Sequence, residues 1–497
     1  MDVRGFAARV RASERARNRA VTVPGRRFFV QTFGCQMNVH DSERMVEVLA
    51  QHGWTTAESA AEADVVVLNT CSVREKAEQK LRSEVGRLAL LKRERPGLVL
   101  AVAGCVAQQE GEKLLARNPA LDLVVGPDNL GELPALLEAQ SAGAPPLART
   151  VFDVDAPRFL SAKPRPGMAP VSAFVTTMKG CDERCSFCVV PYTRGPERYR
   201  PAGEILDEIR ALVGAGAREI VLLGQTVDSY RDASLPPPAS DDPDESQFPH
   251  LLRAIAEVPG LLRLRYTSPH PRHCTEALAR AHAELDVLAK HVHMPVQSGS
   301  NRMLRRMIRR YTRDEYVTRV RRLQAARPGL TLSTDLIVGF PGETAEDFEA
   351  TLDLVREVGF VAAFGFKFSP RPHTPALKLA DDVPEPEKSE RLTRLFAVVE
   401  AQGQAHLRTL VGTRVQVLVE GSSEGGRYEG RTERNEIMHI DAPPVPLDVI
   451  GRVVEVEVTR ANKHSLAGAL TDAARQAVPL ASPAEAPRRP RSLPLVD

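Results

Sequence analysis

This chain has almost no net charge: 66 Lys and Arg stand against 64 Asp and Glu, a formal +2 over 497 residues. That balance excludes a globally basic protein and confines any anion-binding surface to a local patch. Long apolar runs are missing too. No stretch approaches the roughly 20 residues of a membrane-spanning helix, so no membrane association is expected. Cysteine is sparse and odd in number, at seven, and the first 30 residues carry no apolar signal core. A disulfide framework is thereby disfavoured, and the thiols are expected in a reducing, cytoplasmic setting.

What is present falls into segments. The length suggests about three domains. Residues 1–23, rich in Arg and Ala, read as a disordered tail. Residues 24–145 read as a first domain, the proline-rich stretch 146–170 as a linker, 171–408 as a second domain, 409–472 as a third, and 473–497 as another disordered tail. Arg231–Gln247 reads as a surface loop.

Strand and helix patterns alternate in the central segment. Strands are predicted at Ala173–Lys179, Glu219–Leu223, Leu262–Tyr266, His291–Pro295, Thr331–Val338 and Ala363–Phe368, and helices include Gly203–Gly214 and Arg313–Ala326. That order implies a parallel sheet wrapped by helices. From Val411 the pattern becomes β-alternation (Thr413–Glu420, Arg427–Arg431, Glu436–Ile440, Gly451–Arg460), which reads as a small barrel. Asn301–Arg310 reads as one helix, with Met303, Leu304, Met307 and Ile308 on one face and Arg302, Arg305, Arg306, Arg309 and Arg310 on the others.

The seven cysteines divide unevenly. Cys181, Cys185 and Cys188 stand in a C-x3-C-x2-C run, a spacing in which three thiolates can hold three irons of a [4Fe-4S] cluster and leave the fourth without a protein ligand. A zinc site would need a fourth ligand, which Cys274, His270 or His273 could in principle supply, but no second C-x2-C or paired H-x3-H accompanies the run. Cys35, Cys71 and Cys105 each follow a short apolar run (Arg27–Gln31, Asp64–Asn69, Leu98–Ala103) where a strand gives way to a helix. Parallel strands align their carboxyl ends, so three such turns can converge as a second three-thiolate site. Cys274 is left over and is expected to be structural.

These motifs resemble the methylthiotransferase family of radical S-adenosylmethionine (SAM) enzymes, and within it the tRNA-modifying branch. The likeness is carried by Thr32-Phe-Gly-Cys-Gln-Met-Asn38, Asn69-Thr-Cys-Ser-Val-Arg-Glu-Lys76, the Cys181–Cys188 run with Val-Val-Pro-Tyr-Thr-Arg-Gly195, Leu222-Leu-Gly-Gln225, His293-Met-Pro-Val-Gln-Ser-Gly-Ser300 and Asp335-Leu-Ile-Val-Gly-Phe-Pro-Gly-Glu343. It spans about residues 27 to 472. The resemblance implies an α/β chain: an N-terminal open sheet, a partial (β/α)6 TIM-like barrel with its site at the carboxyl strand ends, and a C-terminal TRAM barrel of OB-like architecture.

Also implied are two [4Fe-4S] clusters, one on Cys35, Cys71 and Cys105 and one on Cys181, Cys185 and Cys188, with SAM contacted by Gly224, Gln225, Ser333, Asp335 and Ile337. Glu204 is expected to face the cluster loop. The implied reaction places a methylthio group on carbon 2 of N6-dimethylallyladenosine beside the anticodon of tRNA, one SAM methylating sulfur and another yielding the radical that attacks the C–H bond. The anticodon stem-loop would be the substrate, with an external electron donor and sulfur source, and the enzyme a monomer.

Aromatics are few in the last segment, so RNA would be held there mainly through phosphates by Arg414, Arg427, Arg431, Arg434 and Lys463, aided by Arg305, Arg306 and Arg309 near the barrel mouth. The alternatives are the ribosomal-protein aspartate and threonylcarbamoyladenosine methylthiotransferases, disfavoured by Cys35-Gln-Met-Asn38 and Arg74–Lys80, or a non-catalytic iron-sulfur RNA-binding protein. One departure is visible: His373 stands where the family usually has Gly.

Overall fold

The computed structural model describes residues 25–480, apart from 74, 239, 423–425 and 444. The expected tail 1–23, the end of the chain beyond 480 and Arg74 lie outside the described residues.

The first unit is a parallel sheet of β1 (Arg27–Phe33), β2 (Thr55–Thr56), β3 (Val65–Thr70), β4 (Val99–Gly104), β5 (Leu123–Val125) and β6 (Leu147–Arg149), in the order β2-β1-β3-β4-β5-β6. Strands β3 and β4, Val-Val-Val-Leu-Asn-Thr and Val-Leu-Ala-Val-Ala-Gly, are buried from end to end. Helices cover both faces, so neither face has to be polar. Alternate residues supply the two cores: Phe33, Val66, Leu68 and Val102 on one side, Phe28, Val30, Val67 and Ala101 on the other. The sheet runs past the boundary expected at residue 145. Prolines 145 and 146 read as linker punctuation, yet Leu147–Arg149 pairs in parallel with β5, so the linker starts after Arg149.

The second unit contains β7 (Ser172–Thr176), a short antiparallel pair β8 (Met178–Lys179) and β9 (Arg198–Tyr199), then β10 (Glu219–Leu223), β11 (Arg263–Tyr266), β12 (His291–His293), β13 (Thr331–Val338) and β14 (Ala362–Lys367). β7, β10 and β11 form one parallel sheet and β12, β13 and β14 another. A Leu264–Leu288 bridge joins them into six strands of an incomplete barrel. Ile220, Leu222, Leu264, Leu332 and Leu336 pack outward into the helical layer, which leaves their alternates facing the lumen.

The helices Arg313–Ala326 and Ala345–Val358 start on capping boxes, Thr312 with Glu315 and Thr344 with Asp347. The arginine helix is shorter than expected, Asn301–Arg306. The chain turns at Ile308 with φ 57°. That turn leaves Ile308 39% exposed and drives Arg309 inward to 8%, reversing the expected places of both side chains.

After a long helix, Glu385–Thr409, five strands close a barrel: β15 (Arg414–Ser422), β16 (Tyr428–Thr432), β17 (Ile437–Ile440), β18 (Val453–Ala461) and β19 (Leu466–Leu470), in the order β15-β16-β17-β19-β18. Strand β19, Leu-Ala-Gly-Ala-Leu, escapes a propensity reading because its small residues are poor strand formers. A short helix, Asp472–Ala477, begins where the second tail was expected, capped by Thr471, whose hydroxyl accepts from Ala474 N–H.

Charged contacts set the relation of the units. Arg44 meets Glu208 (3.4 Å), Lys179 meets Asp128 (3.2 Å) and Arg371 meets Glu78 (3.0 Å) between the first and second units. The third unit docks through residues 431–436 onto the amino-terminal ends of the central strands: Arg263 and Arg265 donate to the carbonyls of Arg431 and Thr432 (both 3.0 Å), and Lys290 N–H to that of Glu433 (2.9 Å). Beneath this contact Glu219 lies with Arg263 and Arg265. Burial would raise its pKa, but the two guanidinium groups outweigh burial and hold the carboxyl below its usual range.

Candidate functional site

The first cysteine triplet sits on three neighbouring strands. Cys35 follows β1 and precedes the helix Gln36–Gln51, Cys71 follows β3, and Cys105 opens the helix Cys105–Glu110 after β4. Sheet order puts β1 beside β3 beside β4, all pointing the same way, so residues far apart in sequence share one edge. Gly34 makes the approach possible. At φ 131° it adopts a conformation that disfavours other residues, and a Cβ there would lie 2.2 Å from Cys71 Cβ.

Cys35 Sγ lies 3.3 Å from Asn38 Oδ1, and Cys71 Sγ accepts from Val73 N–H (3.3 Å). Asn38 in turn donates to Asn69 Oδ1 (3.2 Å), tying two of the loops together. The hydrogen bond with Cys71 draws the Cys35 pKa down to about 6 against the effect of burial. The same pairing, with burial, pushes Cys71 well up. Burial also raises Cys105, although the Arg194 guanidinium opposes it.

The second triplet lies in the loop between β8 and β9, at the carboxyl edge of the central strands. Cys181 Sγ lies 2.9 Å from Thr226 Oγ1, and Gly180 N–H donates to Gln225 Oε1 (2.6 Å), so the turn after β10 holds the start of the loop. Gly180, at φ 80°, leaves no room for a Cβ, which would fall 1.9 Å from Pro196 carbonyl oxygen. Cys185 Sγ accepts from Arg309 Nη1 (3.2 Å). Burial pushes the Cys188 thiol up to about 12 and raises Cys181 as well. Thiols in such surroundings lose their protons when a metal takes the proton's place.

Both triplets suit a three-thiolate cluster by donor chemistry and by their surroundings. Among the described residues no three His, Cys, Asp or Glu side chains stand close enough to hold a single metal ion, so the fit rests on other observations. Thr70 Oγ1 and Ser72 Oγ, on either side of Cys71, and Gln225 Nε2, beside the second loop, are buried without partners. Unpaired buried polar atoms at a loop-lined edge leave hydrogen-bonding capacity for a bound group.

The lumen face supplies a further polar set. Ser333 Oγ lies 2.9 Å from His293 Nδ1, and Asp335 Oδ1 3.4 Å from His293 Nε2. Ile337 follows two residues on, and Phe364 of β14 stacks edge-on against His293 with ring centroids 5.7 Å apart. Phe364 and Phe366 are 52% and 38% exposed on this same face. The family resemblance singled out Ser333, Asp335 and Ile337, which share this face, but neither His293 as their partner nor the two phenylalanines. The signal was the i, i+2 alternation of β14, which becomes meaningful only once β14 is known to be the barrel's open edge.

Several expected contacts are corrected. Glu204 is exposed, and its partner is Arg200 (3.5 Å). The acid facing the cysteine loop is Glu197, which accepts from Asp182 N–H (3.3 Å). Arg309 is spent on Cys185, Tyr311 and Pro295 and presents nothing to a phosphate. Arg305 and Arg306 are both exposed, as expected, with Arg306 Nε donating to Pro341 carbonyl (3.0 Å).

On the C-terminal barrel Arg414 stands 3.7 Å from Glu455, Arg431 3.6 Å from Glu420, Arg434 3.0 Å from Glu436 and Lys463 2.9 Å from Glu400. Arg427 is exposed. Arg431 and Arg434 belong to the docked segment, at the opposite strand ends from the cysteines. Cys274 is packed in the apolar core, with burial pushing its pKa up to about 12. His270 and His273 are engaged by Arg272 N–H (3.3 Å) and Asp244 carbonyl (2.8 Å). His373 adopts φ 67°, the conformation a glycine would take freely, with its ring 5.7 Å from that of Tyr192.

Comparison with known proteins follows the same three-part division. Residues 27–126 match the uncharacterized protein family UPF0004, residues 175–355 the radical SAM superfamily and residues 408–471 the TRAM domain. The tRNA-2-methylthio-N(6)-dimethylallyladenosine synthase of Sorangium cellulosum is 65% identical, covering 95% of this chain and 99% of its own length. The corresponding protein of Bordetella petrii is 44% identical over 90% of this chain and 92% of its own length. In Acidithiobacillus ferrooxidans the figures are 46%, 88% and 96%. With identity sustained across all three units, this chain belongs to the tRNA-2-methylthio-N6-dimethylallyladenosine synthase family of radical SAM methylthiotransferases.

Proposed function

We propose that this chain adds a methylthio group to carbon 2 of N6-dimethylallyladenosine beside the anticodon of tRNA, using two three-thiolate [4Fe-4S] sites. The observation that carries the reading is the placement of two cysteine triplets on the carboxyl edges of two adjoining parallel sheets, with Arg194 of the second unit in contact with Cys105 of the first. When bound, the clusters supply one-electron cleavage of SAM at Cys181, Cys185 and Cys188 and an attachment point for sulfur at Cys35, Cys71 and Cys105.

The chain's own residues do the rest. Gln225, fixed by its bond to Gly180, offers its unpaired Nε2 beside the cysteine loop. Gly224 and Gln225, with Ser333, Asp335 and Ile337 on the lumen face, hold SAM. The proton on carbon 2 of adenine is too weakly acidic for a carboxylate or imidazole base, so the lumen residues bind and orient. Arg305, Arg306, Arg414, Arg427 and Lys463 meet phosphates. A splayed base entering at the carboxyl edge lies between the two triplets.

Electrons and sulfur come from outside the chain, which acts as a monomer in the cytoplasm. Among the described residues no helix is long and apolar enough to cross a membrane. The test is nucleoside mass spectrometry of tRNA from a host lacking its own synthase. Appearance of the 2-methylthio nucleoside with this chain, and not with its Cys181→Ala variant, is expected; accumulation of unmodified dimethylallyladenosine in both would overturn the reading.

A further inference from the structure

Each triplet has one buried guanidinium on one of its sulfurs, but the two arginines arrive differently. Arg309 reaches Cys185 from within its own unit, held by Tyr311 Oη (2.9 Å) and Pro295 carbonyl (3.0 Å). Arg194 crosses between units. It follows the second triplet in sequence, yet Nε donates to Cys105 Sγ (3.2 Å) and Nη2 to Asp41 Oδ2 (2.6 Å), both in the first unit. It is only 5% exposed. A guanidinium stays charged under these conditions, and its planar fork can serve two acceptors at once where an ammonium is a single point of charge. A charge buried this deeply is costly unless paired, and Asp41 supplies the pairing through Nη2 beside the Nε that meets the sulfur.

We propose that Arg194 is a positioning residue for the first thiolate site: it completes that site from the neighbouring unit, orients Cys105, and makes the cluster held there easier to reduce. Hydrogen bonds and positive charge at a ligating sulfur favour the reduced, more negative state, and partners behind a ligand fix its direction. The first site is thus finished only when the two units are docked. Other contacts at this interface, Arg44–Glu208 and Lys179–Asp128, latch the units without touching a cysteine, which provides a control. The inference rests on the two-cluster reading given above.

The experiment uses the full chain, reconstituted anaerobically. It combines iron analysis with a dithionite titration followed by electron paramagnetic resonance, in which each cluster takes up one electron. The first-site signal is identified as the one missing from the Cys35, Cys71, Cys105→Ala variant. Arg194→Gln is expected to move the midpoint of that couple to more negative potential and leave the second couple in place. Arg194→Lys should give a smaller shift and Arg44→Gln none. Loss of half the iron in Arg194→Gln but not in Arg44→Gln would equally support a completing role.

An unmoved midpoint with about eight irons retained would overturn the inference, as would an equal shift in Arg44→Gln. Where Arg194→Gln fails to fold because Asp41 is left unpaired, the double variant Arg194→Gln with Asp41→Asn replaces the ion pair by neutral amides and is judged by the same midpoint. A wild-type protein with about four irons would instead overturn the two-cluster reading itself.

Discussion

The two cysteine triplets reach similar ends by different constructions. The second is local: three thiols within one loop, its start pinned by the turn after β10 through Gln225 and Thr226. The first is assembled from three strand ends spread over seventy residues of chain, and its wall is finished by an arginine from another unit. A local loop can form whenever its own few residues are ordered. A site built from neighbouring strands exists only if the whole sheet has its order and register. The first triplet should therefore be the more fragile to distant change and the second the more fragile to change in its own loop.

The largest effects are expected from removing the proposed cluster ligands. Replacing Cys181, Cys185 and Cys188 with Ala should abolish both reductive SAM cleavage and product formation and halve the iron. Replacing Cys35, Cys71 and Cys105 should abolish product while 5′-deoxyadenosine still forms. Chromatography of both products on the same samples checks this, and full methylthio product from the second triple variant would break the comparison.

A backbone change sharpens it further. Gly34→Ala forces a Cβ to within 2.2 Å of Cys71 Cβ, an overpacking that should cost about 1–3 kcal/mol and lower iron at the first site alone. Gly86→Ala, where a Cβ meets nothing within 4 Å, should instead stabilise the helix Glu75–Glu94 by up to about 1 kcal/mol. Urea midpoints of the two variants should move in opposite directions.

Acid should loosen the first site's wall. Burial would raise the Asp41 pKa, but the Arg194 guanidinium together with His40 outweighs it and brings the carboxyl from 3.8 to about 2. A group depressed in the folded state contributes stability that is full above its unfolded value and is lost as pH falls through its folded one. Asp41 should thus contribute about 2 kcal/mol above pH 4 that disappears towards pH 2. Asp41→Asn should flatten that acid limb in urea denaturation followed between pH 2 and 5. An unchanged limb would mean the Asp41 carboxylate, with Arg194 and His40 beside it, adds nothing to folding.

The smallest effect is at the loop joining the two sites, where Arg371 donates to Val73 carbonyl (3.0 Å) near Cys71. His373→Gly relieves a left-handed φ of 67° and should gain less than about 1 kcal/mol with product formation unchanged. A loss of product would show that the ring against Tyr192 serves more than packing.

Much of the molecule was legible from one dimension. The Cys181–Cys188 spacing is itself local, so its chemistry could be read directly. The helix Arg313–Ala326 and strands β10 and β13 were found at their observed limits, because long periodic segments with a clear cap carry their own signal. The errors cluster where neighbours decide: β6 became a strand because β5 offered an edge, and β19 because a barrel needed closing. Arg309, read as part of an exposed stripe, turned inward because the helix stopped after Arg306 and the chain reversed at Ile308.

The sequence by itself determined which atoms can do the chemistry: six thiols in two groups, the glycines that let their loops come close, and the alternation that makes two parallel sheets and a barrel. Only the tertiary structure decided who stands beside whom. That Cys35, Cys71 and Cys105 share an edge follows from strand order, that Arg194 belongs to Cys105 follows from docking, and that Arg431 and Arg434 lie at the far ends of the central strands follows from where the last barrel seats. Contacts between distant residues depend on packing of whole surfaces, and no short window of residues encodes them.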